Sequence, residues 1–350
     1  MKKKYVSWFI ILMMAAIAAG FYCCGKKEWT DPLEILEKHY ETAGGLEKLN
    51  AQKSYYYEAD FILGSLKGTM KEWYQAPNLI RQELDLTVFK AISGDNGRNA
   101  WNVDQNGKVL VQKDEESLKR RKVQELLKNR AFMDPQSKHF TLTFEGIQKV
   151  GEADCYVVKI ANDINSDLSI RYFNTKTFLM DKSVDTRPAE EIHQLYSDYR
   201  EVKGIKRSFH AEITRLPVNQ TFSLNITKYE PDIPIDPSLF QPPTQDVRDF
   251  LFLANHRTED IPFRFIEKHI LVTVKINGKE SQWILDSGAG RSVIDTEFAE
   301  TPGLKPEEKI KGQGIGKTLD VSFVTVPALT LPGLVVKEQK TVRMLNLLRV

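Results

Sequence analysis

The sequence predicts a mainly β protein of two units: an N-terminal antiparallel half-barrel with one or two helices, then a small and incomplete β-barrel domain. Three observations carry that expectation. From residue 52 to residue 231, short segments of alternating apolar and polar residues follow one another, separated by turn residues such as Asp95-Asn96-Gly97 and Lys203-Gly204. That is the texture of an antiparallel meander. The stretch IPIDPSLFQPP then breaks the pattern, because proline has no N–H to give to a ladder. Beyond it, HILVTVKI and KESQWIL flank Asn277-Gly278, a pair suited to the positive φ angles of a tight hairpin turn. The expected boundaries are residues 1–25 for a signal peptide or membrane anchor, 28–243 for the β unit, 244–259 for a linker and 260–350 for the second unit.

In chain order, Lys2-Lys3-Lys4 precede the uncharged run YVSWFIILMMAAIAAGFYCC, and Lys26-Lys27 follow it. A positive start, an apolar middle and small residues mark an export signal, with Ala16-Ile17-Ala18 as a candidate cleavage site. Residues 5–24 are also long enough to remain as a membrane anchor, and Cys23 or Cys24 could carry a lipid. Each alternative places the rest of the chain outside the inner membrane, in the periplasm or cell envelope. Residues 30–49 read as helix: Asp31 caps, Pro32 suits the first position, Leu33, Leu36 and Tyr40 share a face, Gly44-Gly45 stop it, and LEKL adds one turn. A second helix is expected over 114–132, with Leu118, Val123, Leu126 and Leu127 on its apolar side and Lys119 to Lys122 wet.

Composition narrows the function. A hydrophobic fraction of 41% over 350 residues can fill more than one core. The net charge of +2 indicates no polyanionic partner, so nucleic acid is excluded. Only Cys155 lies in the body of the chain, on an alternating strand, which leaves no disulfide framework and no CxxC metal pair. His39, His139, His193, His210, His256 and His269 lack the spacing of a metal-binding helix. No metal and no cofactor are expected.

The N-terminal β unit resembles the LolA/LolB-like family of lipid and lipoprotein carriers, through YYYEADF, the Gly97 to Trp101 segment, LSIRYFN with TKTFLMDK, and YSDYREVKGIK. The resemblance implies an unclosed barrel with a helical lid over an apolar cavity, and hence a lipid or lipoprotein ligand.

The sharpest chemical signal is WILDSGAGRSVID, residues 283–295. It sets Asp286 directly after a strand and directly before a turn. Asp286-Ser287-Gly288-Ala289, followed by Ser292-Val293-Ile294 and preceded by the hairpin, resembles the retropepsin-like aspartyl proteases from about residue 262 onward. The resemblance implies peptide-bond hydrolysis by two carboxylates that share a proton around one water. Asp295 and Asp320 lack the Gly-Ala context, so it further implies a homodimer contributing Asp286 twice. Ser287 would brace the pair, supported by the Gly288-Ala289 turn. A flap over a peptide or protein substrate is expected at Gly314, Ile315 and Gly316. The family's second apolar-apolar-Gly motif is not present before Val350, so the unit is expected to be truncated, and its activity in this form is open. Gly312 to Thr318 imitates a phosphate-binding loop, but it is one residue short and is followed by a strand pattern where such a loop needs a helix.

Two functions follow: an exported aspartic-type endopeptidase, or a non-catalytic periplasmic carrier with a degenerate protease-like unit.

Overall fold

The computed structural model describes residues 28–344, except 65, 87–89, 105–106, 245–249, 254–259, 288–291 and 315–316. The export segment lies outside the described residues.

The chain opens with α1 (Pro32–Thr42), capped by the Asp31 carboxylate accepting from the Leu33 N–H at 2.8 Å. After Gly44 and Gly45, both at positive φ, it adds the short α2 (Leu46–Ala51). Gly44 is required: a Cβ there would lie 2.3 Å from the Gly204 carbonyl oxygen.

The strands that follow are β1 (Ser54–Leu63), β2 (Leu66–Gln75), β3 (Leu79–Asp85), β4 (Lys90–Asp95), β5 (Ala100–Val103) and β6 (Val109–Val111). Helix α3 (Glu115–Lys128) then crosses to β7 (Phe140–Val150), β8 (Ala153–Asn162), β9 (Leu168–Asn174), β10 (Met180–Arg187), β11 (Glu190–Val202), β12 (Ile205–Leu216) and β13 (Gln220–Pro231). They form one antiparallel sheet in the order β6-β5-β4-β3-β2-β1-β13-β12-β11-β10-β9-β8-β7. Two meanders are thus joined where β1 pairs with β13, and β6 and β7 are the edges. The sheet is open, as the half-barrel expectation requires.

Packing explains where the helices go. Ile35, Leu36 and Tyr40 of α1 join Val158, Ile160, Phe173 and Ile205 in the main core. Helix α3 buries Val123 and is tied to β4 by Arg121, whose Nη2 donates to the Asp95 carboxylate at 3.0 Å. Leu118, expected on its apolar side, is 46% exposed, and Val123 is the residue of the helix that is buried. The stretch NLIRQELDLTVFKAI, which reads from sequence as one strand, divides into β3 and β4.

The proline-rich stretch is not loose. A single 3-10 turn at Pro237–Phe240 lays Phe240, with no exposed surface, beside the fully buried Trp101. The Trp101 indole donates to the Phe240 carbonyl at 3.0 Å, and Arg81 donates to the Leu239 carbonyl at 3.0 Å.

A second, smaller sheet contains β14 (Phe250–Phe252), β15 (Phe263–Ile266), β16 (His269–Ile276), β17 (Lys279–Leu285), β18 (Val293–Asp295), β19 (Pro306–Gly314), β20 (Lys317–Leu331) and β21 (Leu334–Met344), with α4 (Thr296–Glu300) after β18. Its order is β14-β21-β20-β16-β15, with β17 on β16, β19 on β20 and β18 on β21, and it does not close among the described residues. β14 pairs with β21, so Phe250–Phe252, which the sequence reading set in the linker as part of a short docking helix or strand, form a strand of this sheet. Val272, Val274, Ile276, Ile294, Val324 and Val326 fill its core.

Candidate active site

The hairpin that carries Asp286 forms as its sequence dictates. Asn277 and Gly278 both adopt positive φ, and β16 pairs with β17 from Ile276↔Lys279 to Ile270↔Leu285. Side-chain bonds stiffen it: Gln282 donates to the Thr273 hydroxyl and the Trp283 indole to the Ser281 hydroxyl, each at 2.7 Å. Burial alternates along β16, with Val272, Val274 and Ile276 inward and Thr273 and Lys275 outward.

Asp286 follows the last residue of β17, and Ser287 begins a turn; both are exposed. The chain then re-enters the sheet at β18, whose Val293 and Ile294 pair in parallel with Val342 and Arg343 of β21. The aspartate turn is therefore pinned on both sides, by β16 before it and by β21 after it. Gly288 and Ala289 lie outside the described residues. Asp295 serves the fold instead, since its carboxylate caps α4 by accepting from the Glu297 N–H at 2.9 Å and the Phe298 N–H at 3.2 Å. Asp320 pairs with Lys311 across the β19–β20 hairpin. Gly314 pairs with Lys317 near the tip of that hairpin, whereas Ile315 and Gly316 lie outside the described residues. A strand follows Gly314, not the helix that a phosphate loop would need.

Sequence reasoning missed the surface beside Asp286. Phe263 lies opposite Val272, which lies opposite Trp283; Phe265 lies opposite Ile270, which lies opposite Leu285. These residues share one face of the sheet. Toward Ile276 that face is core and Ile270 and Trp283 still pack on it, yet Phe263, Phe265 and Leu285 stand 61%, 67% and 62% exposed. The Phe-x-Phe alternation in FRFI was the available signal, but an edge strand with no cover cannot be told from a covered one by pattern alone.

Other candidates have structural explanations. Cys155 is fully buried, and burial with the Asp181 carboxylate nearby pushes its thiol up to about 12, so it is not a nucleophile. His39 is lowered to about 4, chiefly by burial, against the Phe178 carbonyl that its Nδ1 meets at 2.8 Å. His139 meets Asp163, His193 meets Glu191 and His210 meets Asn225, each as an isolated pair. Among the described residues no three His, Cys, Asp or Glu side chains converge on a metal position.

The concave side of the large sheet holds a cavity of about 170 Å³ beneath α3. The carrier resemblance implies apolar walls there. Instead Val123, Leu127 and Phe140 share the lining with Lys128, Arg171 and Asp185.

Similarity to known proteins bears first on the smaller sheet. Residues 272–344 match the profile of a family described as aspartyl protease, which makes this sheet an aspartyl protease-like unit. No curated protein sequence matches the chain. Solved structures with similarity include a DUF1329 family protein from Desulfovibrio piger, at 13% identity and TM-score 0.40, over 61% of this chain and 98% of that one. A LolA superfamily protein from Nitrosomonas europaea matches at 10% identity and TM-score 0.39, over 61% and 98% of the two chains. The Pseudomonas aeruginosa MucA/MucB complex structure matches at 11% identity and TM-score 0.20, over 91% and 100%.

Proposed function

We propose that the chain is an exported aspartic-type endopeptidase whose active site forms between two copies, each contributing Asp286. The observation that carries this reading is the placement of that acid. It stands exposed at the end of a paired strand, inside the matched segment, beside the exposed apolar side chains Phe263, Phe265 and Leu285. A half-site at a two-fold axis calls for both features, an exposed carboxylate and apolar side chains beside it for the second copy to cover.

The chemistry follows from two carboxylates held at close range. Like charges so near one another do not both ionise, so the pair holds one proton. The ionised Asp286 removes a proton from water, and the resulting hydroxide forms a bond to the peptide carbonyl carbon. The protonated Asp286 of the second copy donates to the carbonyl oxygen. Collapse of that tetrahedral species breaks the C–N bond: the Asp286 that took the proton from water gives it to the departing amine, and a hydroxyl of the diol returns its proton to the other Asp286 as the carboxylic acid forms, which restores the singly protonated pair. Ser287, at the start of the turn, is assigned by the resemblance to donate to the pair, and the β19–β20 hairpin is the candidate flap.

Asp286→Asn tests the reading. Cleavage of an unfolded protein substrate by the full-length chain should fall by several orders of magnitude in the variant, with its dimerisation and folding kept. Equal cleavage by the variant, or none by the wild type between acid and neutral pH, overturns it.

The second reading, a carrier with an inert protease-like unit, is favoured by one observation, the amphiphilic cavity under α3. Ligand binding there without any Asp286-dependent cleavage would support it.

A further inference from the structure

The cavity under α3 carries more charge than its own partners account for. Two of its charged groups are already matched: Arg187 is bonded to Glu190 at 3.2 Å, and Asp167 lies 3.5 Å from Arg120. Three are not. Among the described residues Lys128, Arg171 and Asp185 have no hydrogen bond or ion pair through their side chains. The Lys128 ammonium sits over the Tyr74 ring at 5.1 Å, and the Arg171 guanidinium over the Phe132 ring at 4.8 Å.

Arg171 and Asp185 are diagonal neighbours on adjacent strands, since Arg171 lies opposite Ser183 and Asp185 opposite Ser169. Opposite charges so placed ordinarily pair. Here the guanidinium lies over the Phe132 ring and makes no ion pair with the carboxylate, and both groups line the same cavity. The opposing wall is apolar, formed by Val123 and Leu127 of α3 with Phe140, Ile160 and Leu168. Charges held apart in a concavity beside an apolar wall are arranged for a ligand rather than for each other.

We infer that this cavity binds the head of a zwitterionic amphiphile, with its phosphate toward Lys128 and Arg171, its ammonium toward Asp185, and the start of its aliphatic chain along Val123 and Leu127. A simple anion would leave Asp185 facing a like charge, and a simple cation would leave two positive groups unmatched. One positive and one negative centre on the same head satisfies all three residues. The inference deepens the carrier reading and stands whether or not Asp286 is catalytic.

Binding to the full-length protein is measured by calorimetry with lauroyl lysophosphatidylethanolamine below its micelle concentration. Lauroyl lysophosphatidic acid and soluble phosphoethanolamine are the comparison probes. The zwitterionic amphiphile should bind tightest. Lys128→Gln and Arg171→Gln should each weaken it about tenfold, the order expected for losing one charge-assisted contact. Asp185→Asn should erase the preference over lysophosphatidic acid. Lys128 is exposed on the helix, so its variant keeps the fold even if a substitution on the sheet does not. Asp286→Asn should bind like the wild type, which separates failure of this site from failure of the protease reading. Equal affinity for the two amphiphiles in the wild type, or unchanged binding in Lys128→Gln, overturns the inference. Equal affinity for soluble phosphoethanolamine overturns the amphiphile assignment, since the apolar wall would then contribute nothing.

Discussion

Protonation of His39 should destabilise the N-terminal unit at its first helix. The ring lies on α1 between Phe173 at 4.7 Å and Tyr40 at 5.0 Å, with Nδ1 on the Phe178 carbonyl. Burial, joined by the positive charges of Arg171 and Arg130, lowers it to about 4 from 6.5, while the Phe178 carbonyl opposes the shift. The unfolded chain therefore takes up the proton first as pH falls. Stability is fully present above 6.5, is lost progressively down to about 4, and changes no further below that. At about 1.4 kcal/mol per pKa unit the whole shift corresponds to a ceiling of about 3 kcal/mol. Because the ring is only half-buried, a loss of about 1 to 3 kcal/mol is expected. Urea unfolding of the wild type and of His39→Gln across that window isolates the contribution, because other titrating groups cancel in the difference. The wild type should lose stability relative to the variant as the medium is acidified. A difference that stays constant with pH, or an NMR titration placing the His39 midpoint near that of an exposed histidine, refutes the argument.

The remaining predictions concern the protease-like face, a glycine and the strap. Leu285→Glu replaces a side chain that is 62% exposed, so the isolated chain should keep its fold while dimerisation and cleavage are lost together; sedimentation velocity that still shows a dimer contradicts the two-fold site. Gly44→Ala should destabilise the N-terminal unit by about 2 kcal/mol or more, because its φ of +123° and the Gly204 carbonyl at 2.3 Å from a Cβ leave no room, and a near-normal melting temperature would refute this. Phe240→Ala should cost about 3 to 4 kcal/mol by opening a cavity beside Trp101, seen as a red-shifted indole emission together with a lower urea midpoint.

Local signals in the sequence are strong where one short stretch decides the structure. Asp31-Pro32 start α1 and Gly44-Gly45 end it, since capping and positive φ depend on neighbours within a turn. Asn277-Gly278 set the hairpin register and so the position of Asp286. Failures come where the outcome depends on distant partners. Leu118 looks apolar-facing by periodicity, yet it is left exposed while Val123, five residues on, is buried. Phe250–Phe252 read from sequence as a short helix or a short strand within the linker, because three residues carry too little pattern to choose; the pairing with β21 makes the choice. The IPIDPSLFQPP stretch reads as a joint, and no local feature announces that Phe240 packs against Trp101.

The two candidate sites divide along the same line. Asp286 is legible because a tight turn after a paired strand is written in consecutive residues. Lys128, Arg171 and Asp185 come from α3, β9 and β10, and nothing in the spacing of those three residues says that they share a cavity. Strand alternation, turn chemistry and capping act over a few bonds, so the chain by itself determined the β class, the hairpin and the acid at its end. Which faces are covered, which charges are left without partners and which strands stand at an edge are set by the long-range pairing of β1 with β13, of β16 with β20 and of β14 with β21, and only the tertiary structure decided those.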